Sequence, residues 1–223
     1  MSSRLRRSLC LLLPLCLIPL GVWASVKVPA KYTALMILLT AALVLLLFVC
    51  GTEHKKIGTR RLVLSVIFMA LAVLGRMLPM VKPVTAIIIL GALYLGRESG
   101  FLIGAGAAVL SNMMFGQGPW TVFQMLAWGM IGWLAGVLHH PLGKSRTLLL
   151  LYGCMAGVGY SLLMDIWTVV WHSEGFSLPL YAAAVGTSLP YMLLYAASNV
   201  LFLAVMAKPV GHKLQRIALK YGL

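Results

Sequence analysis

The sequence has 223 residues, of which 61% are hydrophobic and only 10% are charged, and its mean hydropathy is +0.99. This composition lies outside the range of soluble domains and predicts an integral membrane protein. Eighteen Lys and Arg residues stand against four Asp and Glu residues, giving a formal charge of +14. A nucleic-acid-binding domain can show the same excess, but here the basic residues lie between apolar runs, so we predict a lipid environment and no nucleic-acid partner.

Eight apolar runs follow one another along the chain, at residues 8–25, 33–50, 62–78, 84–96, 100–115, 121–138, 147–170 and 181–207. A spanning helix needs about 20 apolar residues, so the run 84–96 is short and is predicted to be tilted or partly buried. Lipid cannot satisfy exposed backbone groups, which leaves helices with short connections as the sensible structure. The predicted fold class is therefore all-α, a polytopic membrane protein.

The polar linker at 51–61 divides the chain into two parts. The two runs before it are rich in Leu, whereas the six runs after it are rich in Gly and Ala. Small residues recur four positions apart as Gly100/Gly104/Ala108, Gly132/Gly136, Gly153/Gly157 and Ala182/Gly186. Such spacing favours close helix packing inside the bundle or at an interface with another subunit. We predict a two-helix extension and basic linker at 1–60, a six-helix core at 61–208 and a basic cytoplasmic tail at 209–223.

The distribution of basic residues predicts the orientation of the helices. If the arginines before residue 8 are cytoplasmic, alternation places fourteen of the eighteen Lys and Arg residues inside, and the exceptions are Lys27, Lys31, Arg76 and Lys82. This bias predicts a plasma-membrane protein with both termini in the cytoplasm. Residues 1–24 also resemble a cleavable signal peptide, but cleavage would not change the later topology. We call the end of the bundle with the loops before residues 84, 121 and 181 the predicted outer end.

Polar side chains in membrane helices are costly, so they are functional candidates. The predicted substrate-binding residues, all toward the predicted outer end, are Lys82, Asn112, Gln117, Trp120, Gln124, Trp128 and Asp165. Gln124 and Trp128 follow Trp120 at i+4 and i+8, on one helical face. Asp165 lies about 27 Å along its helix from residue 147. Trp120 and Trp167 also suit an aromatic belt at the membrane interface.

Simpler structural roles remain open for several of these residues. Asp165 can form an ion pair with Lys82 or Arg76, in addition to or instead of binding a ligand. Asn112 and Gln124 can bridge helices without touching a ligand. Asn199 falls in the cytoplasmic half by the same arithmetic and is predicted to be a packing residue.

No catalytic or cofactor motif is apparent in the sequence. The segment at 143–145 resembles the end of a phosphate-binding loop, but the first Gly of that motif is missing. The cysteines show no metal-ligand or disulfide spacing; they are Cys10, Cys16, Cys50 and Cys154. We predict no enzymatic activity, no metal and no cofactor. An intramembrane enzyme would need a constellation that these residues do not supply.

The segments 82–87, 97–105 and 111–136, with the stretch Phe-Gly-Gln-Gly-Pro-Trp at 115–120, resemble the S components of energy-coupling factor (ECF) transporters. The resemblance covers about residues 60–207 and is strongest to the cobalamin-type branch, which has an extra amino-terminal helix pair. It implies a six-helix subunit that captures a vitamin at the extracellular face and topples in the membrane to release it inside. It also implies a transmembrane scaffold subunit and two cytoplasmic ATPases as partners.

The substrate and the scaffold contact are less specific in the sequence. Cobalamin is the first candidate substrate, and thiamine, niacin or queuosine are the alternatives. A membrane assembly protein without transport activity is an alternative of a different class. Related proteins carry an Ala-xxx-Ala contact for the scaffold on the first core helix, but the matching run here has Ser65, Ala72 and Gly75.

Overall fold

A computed structural model describes residues 58–118, 120–173 and 176–221 of the chain. In these residues the helices are α1 (Thr59–Met77), α2 (Val84–Leu95), α3 (Arg97–Phe115), α4 (Trp120–Val137), α5 (His139–Lys144), α6 (Arg146–His172) and α7 (Leu178–Tyr221). The described residues contain no strand, so the all-α prediction is confirmed. The predicted helix pair at 8–25 and 33–50 and the signal-peptide alternative lie outside the described residues.

The six longer helices coincide with the six predicted core runs. Among the described residues, α4, α6 and α7 as far as Leu214 are long and apolar enough to cross a membrane, and α2 is a shorter apolar helix. The short helix α5 lies in the linker 139–146, where none was predicted. It ends at Ser145, whose hydroxyl accepts a hydrogen bond from the Leu148 amide and so begins α6.

Helix α2 forms the centre of the bundle. Its residues from Val84 to Ala92 are all buried, and α1, α3, α4 and α7 pack around it. Twelve residues span only about 18 Å, so α2 does not reach both membrane surfaces. The prediction of a short, partly buried helix at 84–96 is confirmed.

The start of α2 lies deep in the bundle. The Lys82 amide, just before α2, donates to the Ser198 hydroxyl of α7 at 3.1 Å. Ser198 is about 30 Å along α7 from Leu178, so α7 continues far beyond this level toward the predicted outer end. The placement of Lys82 toward the outer surface stays a prediction; the structure places it at the end of α1, beside the long helix α7.

The predicted close packing of small residues is present between α3 and α4. A side chain on Gly132 would collide with the Gly100 backbone, and one on Gly104 would collide with the Trp128 backbone. In α6, Gly157 meets the Ala196 backbone of α7 and Gly153 meets the Leu203 side chain. Gly186, in contrast, has open space around it, so internal packing accounts for the predicted small-residue positions of α3, α4 and α6 but not for this one.

The small residues of α1 face the interior of the core. Ser65, Ala72 and Gly75 are buried, and Gly75 lies against Ile87 and Pro83. These positions cannot offer an Ala-xxx-Ala surface to a scaffold subunit in this arrangement. The exposed face of α1 is instead formed by larger apolar residues, which are Leu62, Val63, Val66, Ile67, Leu71 and Leu74.

Helix α7 continues through the predicted boundary at 208. It passes Pro209 without ending, and Gly211 and Leu214 are buried against the core. Gly211 is close to the Tyr94 hydroxyl at the end of α2. The described part of the predicted tail is therefore a packed extension of α7 beneath the short central helix.

Candidate functional site

Arg76 occupies the centre of a polar network toward the predicted outer end. It lies in the last turn of α1, opposite the last turns of α3. Its Nη1 donates to Ser111 Oγ at 2.5 Å and to Asn112 Oδ1 at 2.7 Å. The guanidinium also lies over the rings of Phe115 and Trp128, at 5.1 and 5.3 Å from their centroids. Among the described residues, cation–π contacts and hydrogen bonds to neutral groups hold this cation, and no carboxylate is paired with it.

The amides of Asn112 and Gln124 extend the network across three more helices. Asn112 Nδ2 donates to Thr121 Oγ1 at 2.8 Å and to Gln124 Oε1 at 2.7 Å. Gln124 Nε2 then donates to the Tyr160 hydroxyl of α6 at 3.1 Å. Asn112 is fully buried and Gln124 is only 6% exposed. One hydrogen-bonded chain therefore links α1, α3, α4 and α6, and a structural bridge between helices is part of its role.

Aromatic rings form the apolar side of this network. Trp128 stacks on Tyr160, with ring centroids 4.9 Å apart and planes at 8°, and Tyr195 of α7 meets Tyr160 edge-on at 5.5 Å. Trp128 is fully buried, yet its indole Nε1 has no hydrogen-bond partner in the described part of the chain. An unpaired buried donor costs about 1–3 kcal/mol. An acceptor on a bound molecule would remove that cost.

Gln117 closes the loop between α3 and α4. Its Nε2 donates to the Val109 carbonyl at 3.1 Å, and its Oε1 accepts from Thr121 Oγ1 at 3.0 Å. Gly116, with φ of 105°, has a backbone conformation that favours glycine at this turn. Through Thr121, Gln117 joins the same network as Asn112.

Lys82 lies at the edge of the network and makes structural contacts. Its Nζ donates to the Arg76 carbonyl at 3.1 Å, which satisfies one of the open carbonyls at the end of α1. The side chain is only partly buried. Lys82 therefore stabilises the turn that presents Arg76, and its remaining donors are available to a ligand.

Trp120 packs on an aromatic wall beside the network. It contacts the cluster of Phe123, Trp167 and Val170, in which the Phe123 and Trp167 rings are 4.7 Å apart. This wall joins the start of α4 to the outer half of α6. The position fits both a ligand-facing role and the interfacial role considered for Trp120.

Asp165 belongs to a separate contact between α6 and α7. Its Oδ2 accepts a hydrogen bond from Ser188 Oγ at 2.6 Å, and the residue is 7% exposed. It lies about 7–8 Å along α6 beyond Tyr160. The alternative of an ion pair with Lys82 or Arg76 is not observed among the described residues, where the hydrogen-bond partner of the Asp165 carboxylate is Ser188.

The sequence analysis missed several members of the network, which are Arg76 as a site residue, Ser111, Thr121, Tyr160 and Tyr195. A lone Arg near the end of the apolar run 62–78 was the available signal, but it was considered only for the orientation of the helices and as a possible partner of Asp165. Asn199, predicted to be a packing residue, accepts from the Ala86 amide and donates to the Gly153 carbonyl, both at 3.1 Å. That prediction agrees with its contacts.

The network supplies amides, hydroxyls, one guanidinium and stacked rings. It contains no carboxylate or imidazole that could exchange a proton with a bound molecule. Such a set can hold the polar edge and the flat face of a small molecule, in the manner of a mostly apolar binding site with a few placed polar groups.

A family model described as the S component of the ECF-type riboflavin transporter matches residues 56–216 of the chain. The match covers all seven described helices except the end of α7. No curated protein and no solved structure matches the chain. The match supports the S-component resemblance but not the cobalamin branch, since its name specifies riboflavin. S components are substrate-binding subunits of transporters, so the prediction of no enzymatic activity is confirmed. The chain belongs to the ECF-type riboflavin transporter S-component family.

Proposed function

We propose that this chain captures a vitamin at the extracellular face, with the network around Arg76, Asn112 and Gln124 as its binding site and Asp165 as a further contact above that network. The observation that carries this proposal is the indole N–H of Trp128, which is fully buried beside the network and has no hydrogen-bond partner among the described residues. A clamp that only held helices together would gain from pairing every donor. A ligand-binding site, in contrast, can leave a hydrogen-bond donor unpaired until the ligand binds.

The depth of the network supports the same function. The level of the network is about 18 Å below the end of α6, counted from Tyr160 to His172. Helices α6 and α7 therefore rise beyond it, with the aromatic wall of Phe123 and Trp167 along one side. A small molecule entering from the predicted outer end would meet aromatic faces first and amides at the bottom.

Cobalamin is the substrate we propose first, on the resemblance to the branch with an extra amino-terminal helix pair, and the Gly-rich loop at 115–120 suits the wide mouth that a bulky corrinoid needs. The amide side chains of a corrinoid are chemically suited to Asn112 and Gln124, whose amides both donate and accept. Riboflavin is the second candidate, favoured by the name of the matching family. Its planar conjugated ring is suited to stacking near Trp128 and Tyr160.

Transport requires partners, since we assign no nucleotide-binding motif to this chain. We propose that it works in the plasma membrane with an ECF transmembrane scaffold subunit and two cytoplasmic ATPases, and that both of its termini are cytoplasmic. Copurification of these subunits with the tagged chain tests the assembly. A membrane assembly protein without transport activity would copurify with neither these partners nor a vitamin.

Binding to the purified chain tests the site. We expect cobalamin or riboflavin to raise its thermal unfolding midpoint, because a ligand stabilises the state that binds it. Gln124→Ala and Asp165→Ala should each weaken that ligand's affinity roughly tenfold while the protein stays folded. Thr187→Ala is the control, since this exposed hydroxyl bonds only to its own helix at Ala184. Unchanged affinity in both site variants would refute the proposed site.

Uptake then identifies the substrate. An auxotroph that expresses the chain with its matching ECF module should accumulate labelled cobalamin if the first proposal is right, and labelled riboflavin if the second is. Rescue by thiamine, niacin or queuosine alone would retain the S-component function and replace both candidates.

A further inference from the structure

A basic cleft of about 300 Å³ lies at the end of the bundle opposite the vitamin site. The last part of α2, the end of α5, the start of α6 and the distal part of α7 form its walls. Its basic side chains are Lys144, Arg146, Lys208 and His212. Its apolar lining consists of Leu90, Leu93, Leu142, Leu149, Leu203 and Ala207.

No carboxylate is among the described residues that line this cleft. The two acidic residues in the described ranges lie elsewhere, with Glu98 bonded to Arg97 at 3.0 Å and Asp165 bonded to Ser188. Arg146 donates to the Ala204 carbonyl at 3.1 Å, which holds its guanidinium beside α7. The cations of the cleft therefore repel one another, and an anion among them would relieve that repulsion.

The start of α6 adds to the positive potential. This helix of 27 residues begins at Arg146, on the wall of the cleft. The positive end of its dipole favours a nearby negative charge. Only the Leu148 amide in its first turn is known to be engaged by a side chain, that of Ser145.

We propose that this cleft binds the phosphate headgroup of an anionic phospholipid from the inner leaflet. The basic rim suits the phosphate, and the adjoining leucines suit the first part of an acyl chain, so one molecule satisfies both surfaces. Basic pockets between membrane helices on the cytoplasmic side bind acidic lipid headgroups in this way. The predicted topology places the cleft on that side, where such lipids meet the protein.

Lipid retention on the detergent-solubilised full chain tests this proposal. Native mass spectrometry with added dioleoylphosphatidylglycerol, and separately with dioleoylphosphatidylcholine, measures binding to the unaltered chain and to two charge-matched variants. Lys144→Gln/Lys208→Gln removes two cations from the cleft. Lys213→Gln/Arg216→Gln removes two exposed cations from the same end of α7 outside it.

We expect the unaltered chain to retain phosphatidylglycerol in preference to phosphatidylcholine. The cleft variant should lose roughly 30-fold in phosphatidylglycerol affinity, and the control variant should lose little. Equal losses in the two variants, or no loss in either, would overturn the proposal in favour of diffuse attraction or no site. Unfolding midpoints measured alongside establish that both variants are folded.

Two further experiments distinguish the lipid from other molecules that could bind in the cleft. Inorganic phosphate at millimolar concentration should not displace the lipid, and displacement would assign the cleft to a soluble phosphate instead. The cleft variant should still copurify with the ECF scaffold and ATPases. Loss of these partners with unchanged lipid retention would make the cleft a protein contact and overturn the lipid assignment.

Discussion

The basic side chains at the two ends of the bundle have opposite surroundings. Toward the predicted outer end, Arg76 is enclosed by the Ser111 hydroxyl, the Asn112 amide and two aromatic rings. At the other end, Lys144 and Lys208 are exposed around a cleft lined by no described carboxylate. A cation fixed by neutral partners can position a ligand with directional contacts. Cations left open act through net charge, so the first end suits selective recognition and the second suits general attraction of anions.

We expect the close contact between α3 and α4 to hold the two ends of the bundle in a fixed arrangement. In Gly132→Leu the new side chain would meet the Gly100 backbone, which cannot move aside without separating the helices. We expect a loss of about 3 kcal/mol or more in the free energy of unfolding, with loss of ligand binding. Gly159→Leu is the matched control, because nothing lies within 4 Å of the added carbon. Similar unfolding midpoints of the two variants in mild detergent would contradict this packing.

The next largest effect is expected when cations are removed at one end of the bundle and ligand binding is measured at both ends. Arg76→Met should lower vitamin affinity by roughly 100-fold, since a hydrogen bond from a charged group contributes about 1.5–3 kcal/mol. It should leave phosphatidylglycerol retention unchanged, while Lys144→Gln/Lys208→Gln should show the reverse pattern. Arg76→Lys provides a second test, because a single ammonium cannot reproduce both the stacking and the paired hydrogen bonds. Full affinity in Arg76→Lys would show that only charge matters at the outer end.

The sequence predicted the architecture well because each apolar run carries its own signal. The burial of α2 followed from its length alone, and the packing of the α3 and α4 glycines followed from their spacing. The sequence identified Asn112 and Gln124 because polar side chains are costly in membrane helices, and Trp128 because it shares a helical face with Trp120 and Gln124. These are local properties, visible within one helix.

The pairing between helices could not be predicted in the same way. Arg76 and Asn112 are 36 residues apart, and so are Gln124 and Tyr160. Nothing in the periodicity of either helix indicates which side chains will meet. An ion pair of Asp165 with Lys82 or Arg76 was one alternative suggested by charge alone, but the fold brings Ser188 to it instead. Sequence thus gave the candidates, and the tertiary arrangement decided their partners.

Trp128→Phe tests the role of the indole N–H at the predicted outer end, and its expected effect is smaller. The Phe ring can keep the stacking on Tyr160 but lacks the N–H, which has no partner in the described chain. The smaller ring leaves a cavity in the core, so the unfolding midpoint of the unliganded protein should fall modestly, while vitamin affinity falls roughly fivefold, as expected for loss of about 1 kcal/mol. Trp133→Phe, at a tryptophan outside the network, should leave the affinity unchanged. An unchanged affinity in Trp128→Phe would remove the indole N–H from the binding site.

The smallest effect is expected at the contact between α6 and α7 above the network. Ser188→Ala removes the hydroxyl that donates to Asp165 Oδ2, and hydrogen bonds between membrane helices contribute about 0.6 kcal/mol on average. The free energy of unfolding should fall by about that amount, whereas Thr187→Ala should change it less. If Asp165 also binds the vitamin, freeing its carboxylate must alter vitamin affinity in Ser188→Ala. A stability loss with unchanged affinity would make Asp165 a helix-pairing residue and confine the vitamin site to the network around Arg76.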